Sequence, residues 1–436
     1  MKFSNVIKYY NNRKVQEKIL ELCKGREVIP RYWNGSFGKR PDTIMFANDV
    51  ARLVKEGVTS FHISEEIWSN PLELSASMSK SRMDELREGW DFLLDVDPKN
   101  WEHGRVCTKL LIEALESHGV KSYSIKFSGG KGWHVAVPWK AFPKKINKEE
   151  VRKMFPEASR MIAGYLKDLI KDHLRKEVLK LENNDLDALS AKTGVPREEL
   201  FRDGDFNPYS IIEIDTVFIA SRHLFRSPYS FNEKTWLVSL PLSKPELDSF
   251  ELSHAKPESV KVRLGFLDKK PLPDEAENLI VQALDWKQKA PKEEVVEKDF
   301  ELPEKAVGKE FFPPCIKLIL EGLKDGRKRA VFILSNFLRT QGWEDEQIKK
   351  EILSWNSKNA EPLPLNYLSS QLSWSKKSGR DVFPPPNCDN KGYYVDIGIC
   401  KPDHICAKIK NPSSYPFISI RKKFQPKKKG NASAKH

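Results

Sequence analysis

The chain has 436 residues, 39% hydrophobic and 31% charged, enough material for two or three domains with buried cores. No run approaches 18 apolar residues, residues 1–30 carry no secretory signal pattern, and six cysteines are too few for a disulfide scaffold, so a membrane protein and a secreted mini-domain are excluded and a cytoplasmic setting is expected. The net charge of +13 is uneven: residues 405–436 hold nine Lys and Arg with no Asp or Glu, leaving +4 for the other 404, so this end suits either a polyanion, through counterion release, or a solvated disordered tail.

In chain order, residues 5–24 read as a helix with Val6, Tyr9, Tyr10, Val15, Ile19, Leu20 and Cys23 on one broad apolar side. GREVIPRYWNGSFGKRP is a turn-rich strand region, and MFANDVARLVKEG is a short helix ending at Gly57. Residues 89–97 (GWDFLLDVD) end a strand, residues 104–118 form a helix, and residues 123–138 (YSIKFSGGKGWHVAVP) read as a hairpin around a glycine-rich turn. Residues 149–199 are mainly helical and charged, residues 211–219 (IIEIDTVFI) form a strand, and WLVSLPL forms another. Over 286–308 the hydrophobic period gives way to Pro, Lys and Glu, the mark of a linker between domains. A helical block follows (FFPPCIKLILEGL, RKRAVFILSNFLRTQGW, DEQIKKEILSWNSK), then a loop-rich, Cys-bearing stretch to about Phe417.

Asp95 and Asp97 flank Val96 in LLDVD, and residues two apart on a strand project to one face. Two carboxylates that close repel unless a cation lies between them, and their oxygens select hard ions such as Mg²⁺ or Mn²⁺. Asp215, in another apolar strand, is the candidate third ligand. Alone, an Asp-x-Asp pair also suits a surface turn or a helix cap. The turn Ser128-Gly129-Gly130-Lys131-Gly132-Trp133-His134 can bring backbone N–H groups, Lys131 and Ser128 to an anion, or it is an ordinary hairpin with a core histidine. It is not a P-loop, since no GK followed by Ser or Thr opens a helix. Downstream, Arg226, Ser230, Asn232 and Lys234 stand between apolar stretches, within reach of a triphosphate or template, or as a polar loop.

The ordered set resembles the catalytic subunit of archaeo-eukaryotic primases, whose motifs read hhDhD, SGxxGxH and a late Asp followed by R/K-x-P-x-S-x-H-x-K-T-G. Here the matching residues are Asp95 and Asp97; Ser128, Gly129, Gly132 and His134; then Asp215 with Arg226, Pro228, Ser230, Lys234 and Thr235. The resemblance covers roughly residues 20–285. It implies an α+β catalytic domain, a mixed-sheet core with a helical insertion, over residues 1–285. It also implies two divalent ions on Asp95, Asp97 and Asp215, and a nucleotide held by Ser128, Gly129, Lys131, Gly132, His134, Arg226, Ser230, Asn232 and Lys234. Arg26 and Arg40 are further basic contacts by the same resemblance. Three departures stand out: Asn232 occupies the family's His position, Trp236 replaces the Gly after KT, and only Cys107 lies near the site where many relatives carry zinc.

Cys23 and Cys107 sit in helical patterns as buried thiols, whereas Cys315, Cys388, Cys400 and Cys406 follow the linker at intervals of 73, 12 and 6. Spacing alone leaves zinc and iron–sulfur both open. The surrounding sequence, ending in CAKIKNPSSY, resembles the C-terminal domain of the primase large subunit. That resemblance implies a smaller, mainly α-helical domain over residues 309–418 with a [4Fe–4S] cluster on these four cysteines, and a basic tail over 419–436. Arg327, Lys328, Arg329, Arg339 and Tyr367 are its candidate nucleic-acid contacts, each equally suited to be a solvated helix residue. The whole chain then resembles single-chain archaeal primases, with a 23-residue tether spanning about 25–30 Å on average. The expected activity is de novo primer synthesis on single-stranded DNA from NTPs or dNTPs, by a nucleoid-associated monomer working with replisome components and no membrane. The alternatives are a repair or translesion primase-polymerase, a non-catalytic single-stranded-DNA-binding relative, and, for the second half, a four-cysteine zinc protein.

Overall fold

The computed structural model describes residues 1–75, 78–202, 204–216, 219–289, 303, 305–365, 367–369, 371–372 and 384–424. The chain divides into two compact units, Met1–Lys292 and Glu293–His436.

The first unit is mixed α+β. Its strands are β1 (Val28–Tyr32), β2 (Val58–Ser64), β3 (Glu66–Trp68), β4 (Arg87–Trp90), β5 (Phe92–Pro98), β6 (Ser124–Phe127), β7 (Trp133–Val137), β8 (Lys145–Ile146), β9 (Glu149–Glu150), β10 (Phe201–Arg202), β11 (Asp205–Phe206), β12 (Ile212–Ile214), β13 (Leu224–Arg226) and β14 (Leu240–Leu242). The main sheet runs β12-β5-β7-β6-β14 and a smaller one β1-β2-β13, and every pairing in both is antiparallel, so the expected mixed-sheet core is an antiparallel one. The helix Trp101–Ser117 lies against β5 and β7 and beside the long helix Glu157–Leu181. Its approach is close enough that a Cβ at Gly104 would meet the side chains of Pro98 and Trp133 at 2.6 Å. The β5 run is apolar on both faces because both are covered: Phe92, Leu93, Leu94 and Val96 are all buried.

The expected helix over 5–24 is two helices, Phe3–Tyr10 and Arg13–Cys23. Asn12 breaks it by accepting the N–H of Lys14 at 3.0 Å, a capping bond that competes with helix continuation. The expected strand 89–97 is likewise two, parted at Asp91, whose carboxylate pairs with buried Arg26. The strand expected over 211–219 is limited to Ile212–Ile214, with residues 217–218 outside the described residues.

The expected linker, 286–308, begins too early. The helix Glu277–Lys289 continues through its first four positions, because Trp286 docks on the long helix, donating from Nε1 to Asp168 at 3.0 Å and covering Gly164. Residues 290–302 and 304 lie outside the described residues, and Val307 is already buried in the core of the second unit.

In that second unit every described regular element is helical: Pro314–Leu320, Arg327–Thr340, Asp345–Asn356, Lys391–Tyr394 and Tyr415–Phe424, with short 3₁₀ turns. Ile316, Ile319, Leu334, Phe337, Ile348, Ile352 and Trp355 form its core, and Trp355 Nε1 donates to Ile319 O at 2.7 Å. The helix from Tyr415 crosses residues 419–424, part of the expected tail, because Ile420 packs on this core. The rest of that tail, 425–436, lies outside the described residues. No helix among the described residues is long and apolar enough to cross a membrane.

Candidate active site

Sheet register builds the centre of the first unit. In antiparallel pairs, residues directly opposite project to the same face. Asp95 on β5 stands opposite His134 on β7, and His134 opposite Lys126 on β6. On the other side, Ile214 pairs with Val96, and the N–H of the next residue, Asp215, donates to Asp95 O at 3.1 Å. One transverse row therefore carries Asp215, Asp95, His134 and Lys126, with Asp97 two residues along β5. The strand pattern brings the three aspartates together although Asp215 lies more than a hundred residues from the others.

The electrostatics follow from the crowding. Desolvation, with the neighbouring carboxylates of Asp97 and Asp215 and against the charge of Lys126, pushes the Asp95 carboxyl up to about 6. Burial brings the Lys126 ammonium down to about 7, opposed by Asp95 and reinforced by Arg226. That ammonium donates to Ser239 Oγ at 3.0 Å and lies 5.7 and 5.6 Å from the ring centroids of Phe225 and Phe266. His134 is held neutral by burial first, then by Lys126 and Arg226. Its Nε2 lies 3.6 Å from Asp95 Oδ1, and its buried Nδ1 has no partner. No group of three or more His, Cys, Asp or Glu among the described residues is ready-formed around a metal. The chemistry of the three carboxylates nonetheless fits hard cations, since positive charge between them relieves their mutual repulsion.

The glycine turn packs beside this row. Ser128 N–H donates to Gly132 O at 2.9 Å, and Lys131 Nζ lies 3.4 Å from Asp97 Oδ1. A Cβ at Gly132 would meet Val96 O at 2.9 Å, and one at Gly129, where φ is +87°, would meet Asn232 Cβ at 3.0 Å and Leu237 O at 3.1 Å. Gly130 faces the Asn232 amide, and Thr235 Oγ1 donates to Gly129 O. The structure thus places the turn and the Asn232–Thr235 segment in contact, with Lys234 exposed beside them.

Other expected contacts are engaged elsewhere. Ser230 is fully buried and its Oγ accepts the N–H of Phe61 at 3.1 Å, so it holds β2 and does not face the turn. Arg226 donates to Phe231 O and pairs with Glu233 at 3.1 Å. Arg26 is buried and tied to Asp91 and to the carbonyls of Ser64 and Glu65, and Arg40, although exposed, is paired with Glu27.

Four participants escaped the sequence reading. Lys126 was within reach of it, because counting outward from the glycine turn pairs it with His134. Glu233, which pairs with both Arg31 and Arg226, and the Glu65–His223 pair at 2.7 Å depend on contacts between distant segments. Glu65 raises the pKa of His223 by its hydrogen bond, and Asp215 and Asp95 add to that.

In the second unit, burial and mutual proximity raise the thiols of Cys315, to about 12, and Cys388, to about 11; each feels Cys400 and Cys406. Burial also raises the Cys406 thiol, but among the described residues no three of these groups are gathered closely enough to hold a metal. Asp403 orders the loop, accepting the N–H of Cys406 at 3.1 Å and the Tyr415 hydroxyl at 2.6 Å. Of the candidate nucleic-acid contacts, Arg327 pairs with Glu361, Arg329 donates to Gly392 O and Arg339 pairs with Asp345. Lys328 lies over the Tyr367 ring, 5.3 Å from its centroid.

Residues 91–243 match the family profile of the DNA primase small subunit. The chain is similar to the DNA primase small subunit PriS of Pyrobaculum calidifontis, 32% identical over 170 residues, which are 37% of this chain and 48% of that protein. PriS of Pyrobaculum aerophilum is 32% identical over 151 residues, 33% of this chain and 43% of that protein. The uncharacterized protein MJECS07 of Methanocaldococcus jannaschii is 32% identical over 160 residues, 34% of each. The chain thus spans about half the length of the Pyrobaculum relatives it matches. Among solved structures, the polymerase domain of Mycobacterium tuberculosis Ligase D in complex with DNA aligns at 16% identity and a TM-score of 0.37, over 65% of this chain and 89% of that one.

Proposed function

We propose that this chain is a DNA-dependent primase that makes short primers de novo on single-stranded DNA, with the first unit as its nucleotidyltransferase centre. The observation that carries the reading is the transverse row Asp215–Asp95–His134–Lys126, with the glycine turn packed beside it. Asp95, Asp97 and Asp215 would hold Mg²⁺ or Mn²⁺, which supply activation of a 3′-hydroxyl and neutralise the leaving pyrophosphate. The chain's own residues do the positioning. The N–H groups of the turn, with Ser128 and Lys131, receive the triphosphate, and Asn232 and Lys234 close its other side. Neutral His134 offers a donor without adding charge, and Glu233 fixes the Arg226 guanidinium.

For the second unit, the reading is a large-subunit-like domain with a [4Fe–4S] cluster on Cys315, Cys388, Cys400 and Cys406, binding the initiating nucleotide. The sequence resemblance supports it, together with the electrostatic influence of the other three cysteines on Cys315. An anaerobic preparation that is brown and absorbs near ~400 nm is the expected outcome; colourless protein with stoichiometric zinc would replace the cluster by a four-cysteine zinc site.

Asp95→Ala combined with Asp97→Ala should abolish nucleotide transfer and leave single-stranded DNA binding largely intact. Synthesis retained in that double variant would overturn the active-site assignment. Extension of annealed ends without any primer-free synthesis by the wild type would reassign the chain to end repair or lesion bypass.

A further inference from the structure

The first unit exposes an aromatic surface for which the nucleotide chemistry has no use. It lies on the hairpin loop following β13. Phe231 bridges Val238, Asn232 N–H donates to Leu237 O at 2.8 Å, and Trp236 N–H returns to Asn232 O at 2.7 Å. A loop closed this way ends in a left-handed residue, a place that glycine fills at no steric cost. Here it is Trp236, at φ 58°. Bulky side chains avoid that conformation, and strain retained in a well-determined loop points to a demand other than folding.

The strained backbone delivers the indole to one place. Trp236 lies over Trp33, centroids 4.9 Å apart and planes tilted by 31°, and rests edge-on against Phe231 at 6.0 Å. Trp33, in the turn after β1, is fixed by its N–H to Gly57 O at 2.8 Å, and Phe3 meets its ring edge-on at 5.3 Å. Despite these neighbours, Trp33 remains 47% exposed. Lys2, next to Phe3, and Lys234, two residues before Trp236, are exposed and belong to no ion pair among the described residues. Thr235, between Lys234 and Trp236, is bonded to Gly129 O, so the pair is mechanically continuous with the glycine turn.

We propose that Trp33 and Trp236 form a base-stacking platform for the single-stranded DNA template where it passes the nucleotide site. The surface selects this occupant: the exposed Trp33 ring, backed by the partly buried Trp236 and flanked in sequence by uncommitted ammonium groups, matches the alternation of bases and phosphates along a single strand. A folded protein partner would need a wider apolar patch. The direction of the strand rests on the proposed active site; the stacking chemistry does not.

The test uses the full chain and labelled oligothymidylate, with binding read by fluorescence anisotropy over a series of salt concentrations, without nucleotide or divalent metal. Trp33→Ala and Trp236→Gly should each weaken binding roughly tenfold, the scale of one lost stacked base. The slope of log affinity against log salt should stay unchanged, since no phosphate contact is removed. Trp33→Phe, which keeps a ring, should bind close to wild type. Trp236→Gly relieves the backbone but removes packing on Trp33 and Phe231, so its thermal melting is read alongside to show that the variant is folded at the assay temperature. Wild-type affinity in Trp236→Gly, or a loss in Trp33→Phe as large as in Trp33→Ala, would overturn the platform. Because neither readout involves synthesis, a failure here is separable from failure of the active-site reading.

Discussion

At the scale of single residues, Glu233 is the clearest case of a group that no motif names holding the residues around the candidate site. It lies inside the segment that was legible in the sequence, between Asn232 and Lys234, yet its side chain turns inward. It pairs with Arg31 at 3.2 Å and Arg226 at 3.1 Å and accepts from Thr59 at 3.0 Å. Burial opposes its ionisation, but Arg226 and the hydroxyls of Ser60 and Thr59 outweigh that and hold its pKa below the usual carboxylate value. The sign follows: the ion pairs stabilise the fold fully above the unfolded pKa of about 4.3, and that stability is lost as pH falls through the lower folded value. Glu233→Gln should therefore cost about 2 kcal/mol at pH 7, a loss of charge-assisted bonds at a mostly buried site. The gap to wild type in urea denaturation should close as pH is lowered below about 4. A gap that persists unchanged at low pH would mean that the carboxylate's charge is not what matters. Ser230 shows the converse. It was readable as part of a motif, but a motif letter cannot tell a hydroxyl that faces a ligand from one that accepts a backbone N–H in the core.

At the scale of elements, what was legible was local. The period of two in LLDVD and the glycine-rich turn of the hairpin are short-range signals, and both elements form. The register that brings Asp215 beside Asp95 is a pairing between strands far apart in the chain, which no local pattern encodes. The same applies to the break at Asp91, which depends on Arg26, and to the helix that continues past 285, which depends on Asp168 receiving Trp286. The glycine turn offers a clean measurement. Gly35 and Gly129 share φ +87°, but a Cβ at Gly35 meets nothing within 4 Å, whereas one at Gly129 meets Asn232 and Leu237 at 3.0 and 3.1 Å. Gly35→Ala should cost only the backbone term, about 1 kcal/mol. Gly129→Ala should cost about 2–3 kcal/mol, because the neighbouring loop must shift as well. Only Gly129→Ala should also raise the KM for nucleotide several-fold, as the turn and the Asn232 loop separate. Equal effects of the two substitutions on stability and on KM would show that contact between turn and loop is incidental.

At the scale of the whole molecule, a composition switch near residue 286 announced two units, while their limits were set by packing that composition does not register: Trp286 on one side and Val307 on the other. On the proposed function, the two units have separable duties. Extension needs an existing 3′ end and one incoming nucleotide, both served by the Asp95 row. Initiation needs a second nucleotide held without a primer, and a covalently attached second unit supplies it at a raised effective concentration. The cysteines give a way to remove one duty without removing any chain. Cys406 sits in the loop ordered by Asp403, Cys388 N–H donates to Lys410 O at 2.9 Å, and the Cys388 thiol feels the charge of Cys406. In the full chain, Cys388→Ser with Cys406→Ser should eliminate cluster absorbance and bound iron. It should lower primer-free synthesis by roughly tenfold or more, as the tethered nucleotide site is lost. Extension of an annealed primer by the same preparation should stay near wild type, because the Asp95 row and its glycine turn lie wholly within the first unit. Parallel loss of both activities would show that the second unit is needed for catalysis itself, and unchanged initiation in the double variant lacking the cluster would remove that unit from priming altogether.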